Sequence, residues 1–73
     1  MEESAQVSPA EQQRIEFLIT RDGSAATRDW VERTLKMYRA AVSDPGSHAS
    51  NPHYKPLFDA SIHTFEKWLA NNQ

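Results

Sequence analysis

SDPGSHASNPHYKP, residues 43–56, holds three of the chain's four prolines, one of its two glycines and two of its three histidines. Proline has no amide to give to an interior helical turn, and Asp-Pro-Gly is a turn-forming run. No helix passes through this stretch. It separates a long apolar-periodic region before it from a shorter one after it, so its reading decides between one long helical segment and several packed helices.

Immediately upstream lies RDWVERTLKMYRAAV, residues 28–42. At about 100° per residue, Ala26, Trp30, Val31, Thr34, Leu35, Met37, Tyr38, Ala41 and Val42 fill a continuous arc of about 180°. An ordinary surface helix carries a narrower stripe. The spacing predicts a helix over about 25–43, capped by Ser24 or Thr27, with neighbours on two sides. Its opposite half carries Arg28, Asp29, Glu32, Arg33, Lys36 and Arg39, with Glu32 placed to pair with Lys36 one turn on.

Downstream, Phe58, Ile62, Phe65 and Leu69 recur at spacings of four, three and four, and Leu57, Ser61 and Trp68 widen one flank. This predicts a helix over about 56–71 after a loose turn at 52–55, with Pro56 in its first turn and an asparagine of NNQ in a left-handed cap. Tyr54 is expected to pack over the end of the preceding helix. Further upstream, SPAE (residues 8–11) has a capping serine, a proline at the first helical position and a glutamate where a capping box wants one. A helix over about 9–22 follows, ending where Gly23 can take a left-handed conformation. Ile15, Leu18 and Ile19 share one face of it and Phe17 lies almost opposite. Residues 1–7 have no period and read as a disordered tail.

The chain therefore reads as an all-α protein, a small three-helix bundle forming one domain over residues 8–73. No strand pattern, repeat or heptad series competes with that reading. The expected core is Ile15, Leu18, Ile19, Trp30, Leu35, Tyr38, Phe58, Ile62, Phe65 and Leu69. The runs IEFLITRDG (15–23) and DWVERTLKMYRAAV (29–42) resemble short helical proteins of bacteria that carry no assigned activity. The resemblance spans most of residues 15–69 and implies a bacterial cytoplasmic setting and no chemistry.

Composition narrows the function. A chain of 73 residues buries only about 60% of its unfolded surface, leaving little room for a cleft of about 300 Å³ or more. With no cysteine there is no disulfide and no thiolate for catalysis or zinc. The acidic start has no apolar leader, and no run approaches the roughly 20 apolar residues of a membrane span, so a soluble cytoplasmic protein is expected. A metal site at His48 and His53 would have to recruit His63 and then Asp44 or Asp59, at spacings that match no metal motif. Asp59, Ser61 and His63 do not make a triad, because on a helix Ser61 and His63 point about 200° apart. The reading is of no catalytic residue, no metal and no cofactor, and of no small-molecule substrate or membrane partner.

Binding remains. The net charge is −2, unevenly spread: residues 1–23 set Glu2, Glu3, Glu11, Glu16 and Asp22 against Arg14 and Arg21, whereas residues 24–44 set Arg28, Arg33, Lys36 and Arg39 against Asp29, Glu32 and Asp44. An acidic segment beside a mildly basic one suits helices that pack together. Two tryptophans, three phenylalanines and two tyrosines are many rings for so small a core. The expected function is a non-catalytic protein-interaction module or accessory subunit, with a protein partner or a second copy meeting Phe17, Arg21, Arg33, Lys36 and Arg39. The alternative is a small nucleic-acid-binding protein using the basic half of the second helix, which Asp29, Glu32 and the acidic balance oppose.

Overall fold

The computed structural model describes residues 7–72; apart from Val7, the expected tail lies outside them. Three helices follow in order, α1 (Pro9–Asp22), α2 (Ser24–Ser43) and α3 (Lys55–Asn71), with a 3-10 turn at His48–Ser50 between the last two. The all-α three-helix reading holds, and no strand occurs among the described residues. The extents of 35 × 32 × 19 Å set the scale of the core. A helix with its side chains is about 10–12 Å across, so the slab is two helices deep.

α1 begins as its sequence requires. Ser8 is extended (φ −96°, ψ 113°), its Oγ accepts from the Glu11 amide at 3.3 Å, and Pro9 follows. The returning half of the capping box is not made. The Ser8 N–H donates instead to Thr64 Oγ1 on α3 at 2.7 Å, and the Glu11 carboxylate turns inward to accept from Ser61 Oγ at 3.1 Å. Both partners of the expected local bond are thus drawn into a polar seam between α1 and α3.

Gly23 is the whole connection between α1 and α2. Its φ of 91° and ψ of 165° lie in a region essentially restricted to glycine, rather than in the left-handed helical well. Its N–H closes α1 on the Ile19 carbonyl at 2.9 Å, while its own carbonyl accepts from the Thr27 amide at 3.1 Å and from Thr27 Oγ1 at 2.8 Å. α2 therefore starts at Ser24 with Gly23 as cap. Thr27, one of the two expected caps, is a buried residue of the first turn.

The proline-rich stretch is a built connector. Asp44 Oδ1 accepts from the Gly46 amide at 3.0 Å, an Asx turn of the kind Asp-Pro-Gly favours. Ser50 Oγ lies within hydrogen-bond reach of the carbonyls of Ala41, Val42 and Asp44, so it satisfies the end of α2. Ala49, 1% exposed, fills the space beneath. Tyr54 is not the residue that covers this end; its ring stacks on His48 (5.1 Å, 10°) with His53 edge-on (4.9 Å, 85°). α3 starts at Lys55, one residue ahead of the expected Pro56. Its last turn is closed by the Asn72 side chain donating to the Trp68 carbonyl at 2.8 Å, with φ at −129° and not left-handed.

Ile15, Val31, Leu35 and Phe65 form the buried centre, and Ile19, Trp30, Tyr38, Ile62, Trp68 and Leu69 pack around it. Phe65 meets Trp30 edge-to-face at 5.8 Å and Tyr38 at 5.8 Å, and Tyr38 in turn meets Phe58 at 5.2 Å. Val31 takes the central place, while Leu18 and Phe58 are half-buried. Of the broad α2 arc, Ala26 and Met37 at its edge remain exposed, because the two neighbouring helices cover a narrower face. Phe65→Ala is expected to cost about 3–5 kcal/mol, since the ring is fully enclosed. Leu57→Ala, at a position 66% exposed, should stay within about 0.5 kcal/mol. Urea denaturation followed by circular dichroism compares the two.

Candidate interaction surface

The side chains that the sequence marks for partner contact do not form one surface: Phe17 and Arg21 lie on α1, Lys36 and Arg39 border an α2–α3 groove, and Arg33 lies outside both. On α1, the Phe17 ring is 59% exposed and the Arg21 guanidinium sits over it at 5.3 Å. Arg21 also donates to both oxygens of Asp22, at 2.8 and 3.1 Å. A cation over a ring face is attracted by its quadrupole, so the pair is an ordered apolar-cationic patch one turn long. Local spacing explains it: Phe17 and Arg21 are four apart on a helix.

Along α2 and α3, Lys36 and Arg39 border a groove of about 410 Å³ with Glu32, Leu35 and Leu69. Leu35 is buried and Leu69 half-buried, so the lining is apolar between charged side chains. Arg39 reaches across to Glu66 of α3. Arg33 is not in this groove; it pairs with Asp29 at 3.0 Å on the solvent side of α2. That pair stands in place of the expected Glu32–Lys36 bridge. A second concavity of about 240 Å³ lies between Tyr38, Leu57, Phe58 and Ser61. Met37 and Leu57, 63% and 66% exposed, are the large apolar residues that sequence reasoning assigned to the covered arcs and that the fold leaves outside.

Among the described residues no group of three or more histidines and carboxylates is gathered closely enough to hold a metal ion. His48 and His53 are exposed and flank Tyr54, while His63 is half-buried on α3. Ser61, Asp59 and His63 are not brought together. Ser61 is buried and donates to Glu11, and Asp59 binds Lys55 at 3.0 Å.

Glu11 is another residue whose place differs from the sequence reading, which made it a capping residue. It is 7% exposed. One oxygen accepts from Ser61, and the other is buried without a hydrogen bond, with the Arg14 guanidinium 3.6 Å away. The available signal was weak, because a glutamate three residues into a helix reads first as a capping residue.

No helix among the described residues is long and apolar enough to cross a membrane. Comparison with protein families, curated proteins and solved structures gives no match to this chain.

The Phe17 patch has a measurable electrostatic signature. The hydrogen bond from Arg21 holds the Asp22 carboxyl below its ordinary range, and the same bond raises the guanidinium. A depressed carboxyl keeps its charge as pH falls and releases its partner only when it protonates at its lowered value. In Arg21→Gln the Asp22 carboxyl is expected to titrate at higher pH than in the wild type, as followed by carboxyl-carbon NMR. An unchanged midpoint would mean that the pair does not persist in solution.

Proposed function

We propose that this chain is a small non-catalytic protein-interaction module or accessory subunit, with the Phe17–Arg21 patch of α1 as its leading contact. The observation that carries the reading is the exposure of Phe17 on a regular helix in a domain with so few fully buried apolar residues. A phenylalanine whose neighbouring arginine is already ordered loses little freedom on docking, and both residue types are enriched at protein interfaces. The α2–α3 groove, with Lys36 and Arg39 beside an apolar floor, supplies a second surface of the same character.

The nucleic-acid reading receives less support. Arg33 and Arg39 are engaged by Asp29 and Glu66, so phosphates would have to compete with resident carboxylates.

Phe17→Ser is expected to weaken partner association by about 2 kcal/mol, roughly thirtyfold, as loss of an aromatic anchor does. Its stability should change by no more than about 0.5 kcal/mol. Co-purification from the native cell with wild-type and variant baits reads the first quantity and denaturant melts the second. If the variant retains the same protein partners, Phe17 is not the contact. If the chain instead binds DNA or RNA below micromolar Kd with a steep loss in salt, and Arg33→Gln, Lys36→Gln and Arg39→Gln reduce that slope, the nucleic-acid function replaces this one.

A further inference from the structure

We infer that α1 is an exchangeable arm hinged at Gly23, and that the partner able to receive it is a second copy of this chain. The inference does not depend on the contact surface proposed above. It begins with the joint, where one exposed residue separates two helices. Apart from its chain neighbours, no atom lies within 4 Å of where a Cβ on Gly23 would stand, so no side chain packs against that side of the joint, and the bonds of its N–H to Ile19 and of its carbonyl to the Thr27 amide have the four-residue spacing that a straight helix would keep. The bend resides in one pair of backbone angles, φ 91° and ψ 165°.

Nothing in the flanking sequence bars a straight helix. Thr20 to Thr27 contains no proline and Gly23 as its only glycine. If Gly23 took helical angles, α1 and α2 would run together as one helix over residues 9–43, about 52 Å long at 1.5 Å per residue. Glycine in a helix interior is poorly favoured, whereas the observed angles suit glycine and almost nothing else. This one residue therefore sets the balance between the folded-back hairpin and the straight helix.

The contacts of the arm are also transferable. α1 fully buries only Glu11 and Ile15, with Leu18 and Ile19 half-buried, and its polar bonds, with that of its cap Ser8, end on Ser61 and Thr64 of α3. Those receiving groups lie on the α2–α3 body and stay in place when the arm swings away. Opening alone would expose Ile15 and the Val31–Phe65 centre to water, so an open monomer is unfavourable. Two open copies related by a twofold axis restore each lost contact by exchanging arms. Short joints of this kind are where domain exchange occurs.

Gly23→Ala tests the inference directly. Alanine resists the bent angles and favours the straight helix, so the variant is expected to dimerise at least about tenfold more tightly than the wild type. Gly46→Ala is the control: its Cβ would meet only Asp44 Oδ1, at 3.6 Å, and it should sediment like the wild type. The exchanged topology is read by spin labels on Gln12→Cys and Lys67→Cys, which border the same small cavity in the closed form and are the only thiols in a chain without cysteine.

With labelled chains diluted into unlabelled ones, the intrachain distance in the Gly23→Ala dimer should lengthen by more than about 10 Å, because the helix from Gln12 to the joint rises about 16 Å. A Gly23→Ala protein that stays monomeric up to about 1 mM, or that dimerises while keeping the short distance, overturns the inference. If that variant does not fold, the doubly labelled wild type at about 1 mM decides. A long-distance fraction that grows with concentration supports exchange, and its absence overturns it.

Discussion

The fold turns on one ring. Phe65 is fully buried with Trp30 against it edge-to-face and Tyr38 tilted across it, and Tyr38 carries the contact on to Phe58. Aromatic pairs in such arrangements contribute about 0.5–1.5 kcal/mol beyond their area, and here they join α2 to α3 over several turns. The slab is only two helices deep, so no third layer shares this task. The connector between the two helices serves the same contact. Ala49 and Ser50 complete the end of α2, from which the chain turns back into α3.

The attachment of α1 is of another kind. Ile15 reaches the common centre with Ile19 packed beside it, and the hydrogen bonds from α1 and its cap to α3 are polar side-chain contacts: Glu11 with Ser61, and the Ser8 amide with Thr64. A buried carboxylate with one oxygen lacking a hydrogen bond is a costly group to keep inside. Removing the Ser61 hydroxyl would leave the carboxylate with still less, so the seam depends on both partners together. Polar seams of this sort fix register through geometry while adding less net stability than an apolar one of equal area. α2 and α3 thus form the stable body, and α1 is positioned on it accurately but held with fewer apolar groups.

Much of this was legible in the sequence, for identifiable reasons. The helix limits came within a residue or so of those observed because Pro9, Gly23, the Asp-Pro-Gly turn and Pro56 act through backbone chemistry that needs no tertiary context. Phe65, Leu35, Ile15 and Trp30 were found because helical periodicity marks the centre of an apolar face. Periodicity does not say how wide a face its neighbours will cover. Met37 and Leu57 lie at the edges of their arcs and remained outside. Glu11 and Ser61 were lost because residues fifty apart in sequence formed a hydrogen bond that neither local pattern announced. Tyr54 found a histidine ring beside it in the same connector, where sequence had sent it to the helix end. The candidate contact residues were located individually, but the division of Phe17 and Arg21 from Lys36 and Arg39, with Arg33 outside both groups, follows from how the helices pack.

The charges complete the picture by what they leave undone. Among the described residues, the ion pairs Arg14–Glu11 and Arg21–Asp22 lie within α1, Arg33–Asp29 within α2 and Lys55–Asp59 within α3, and only Arg39–Glu66 joins two helices. Pairs within a helix support that helix by a few tenths of a kcal/mol and say nothing about where it lies against its neighbours. The one bridging pair is itself half in solvent, where such contacts are worth little. Helix orientation therefore comes from the rings around Phe65 and the hydroxyls of Ser61 and Thr64, neither of which salt screens. The exposed charges are thus free to vary, or to meet a partner, without disturbing the packing beneath them.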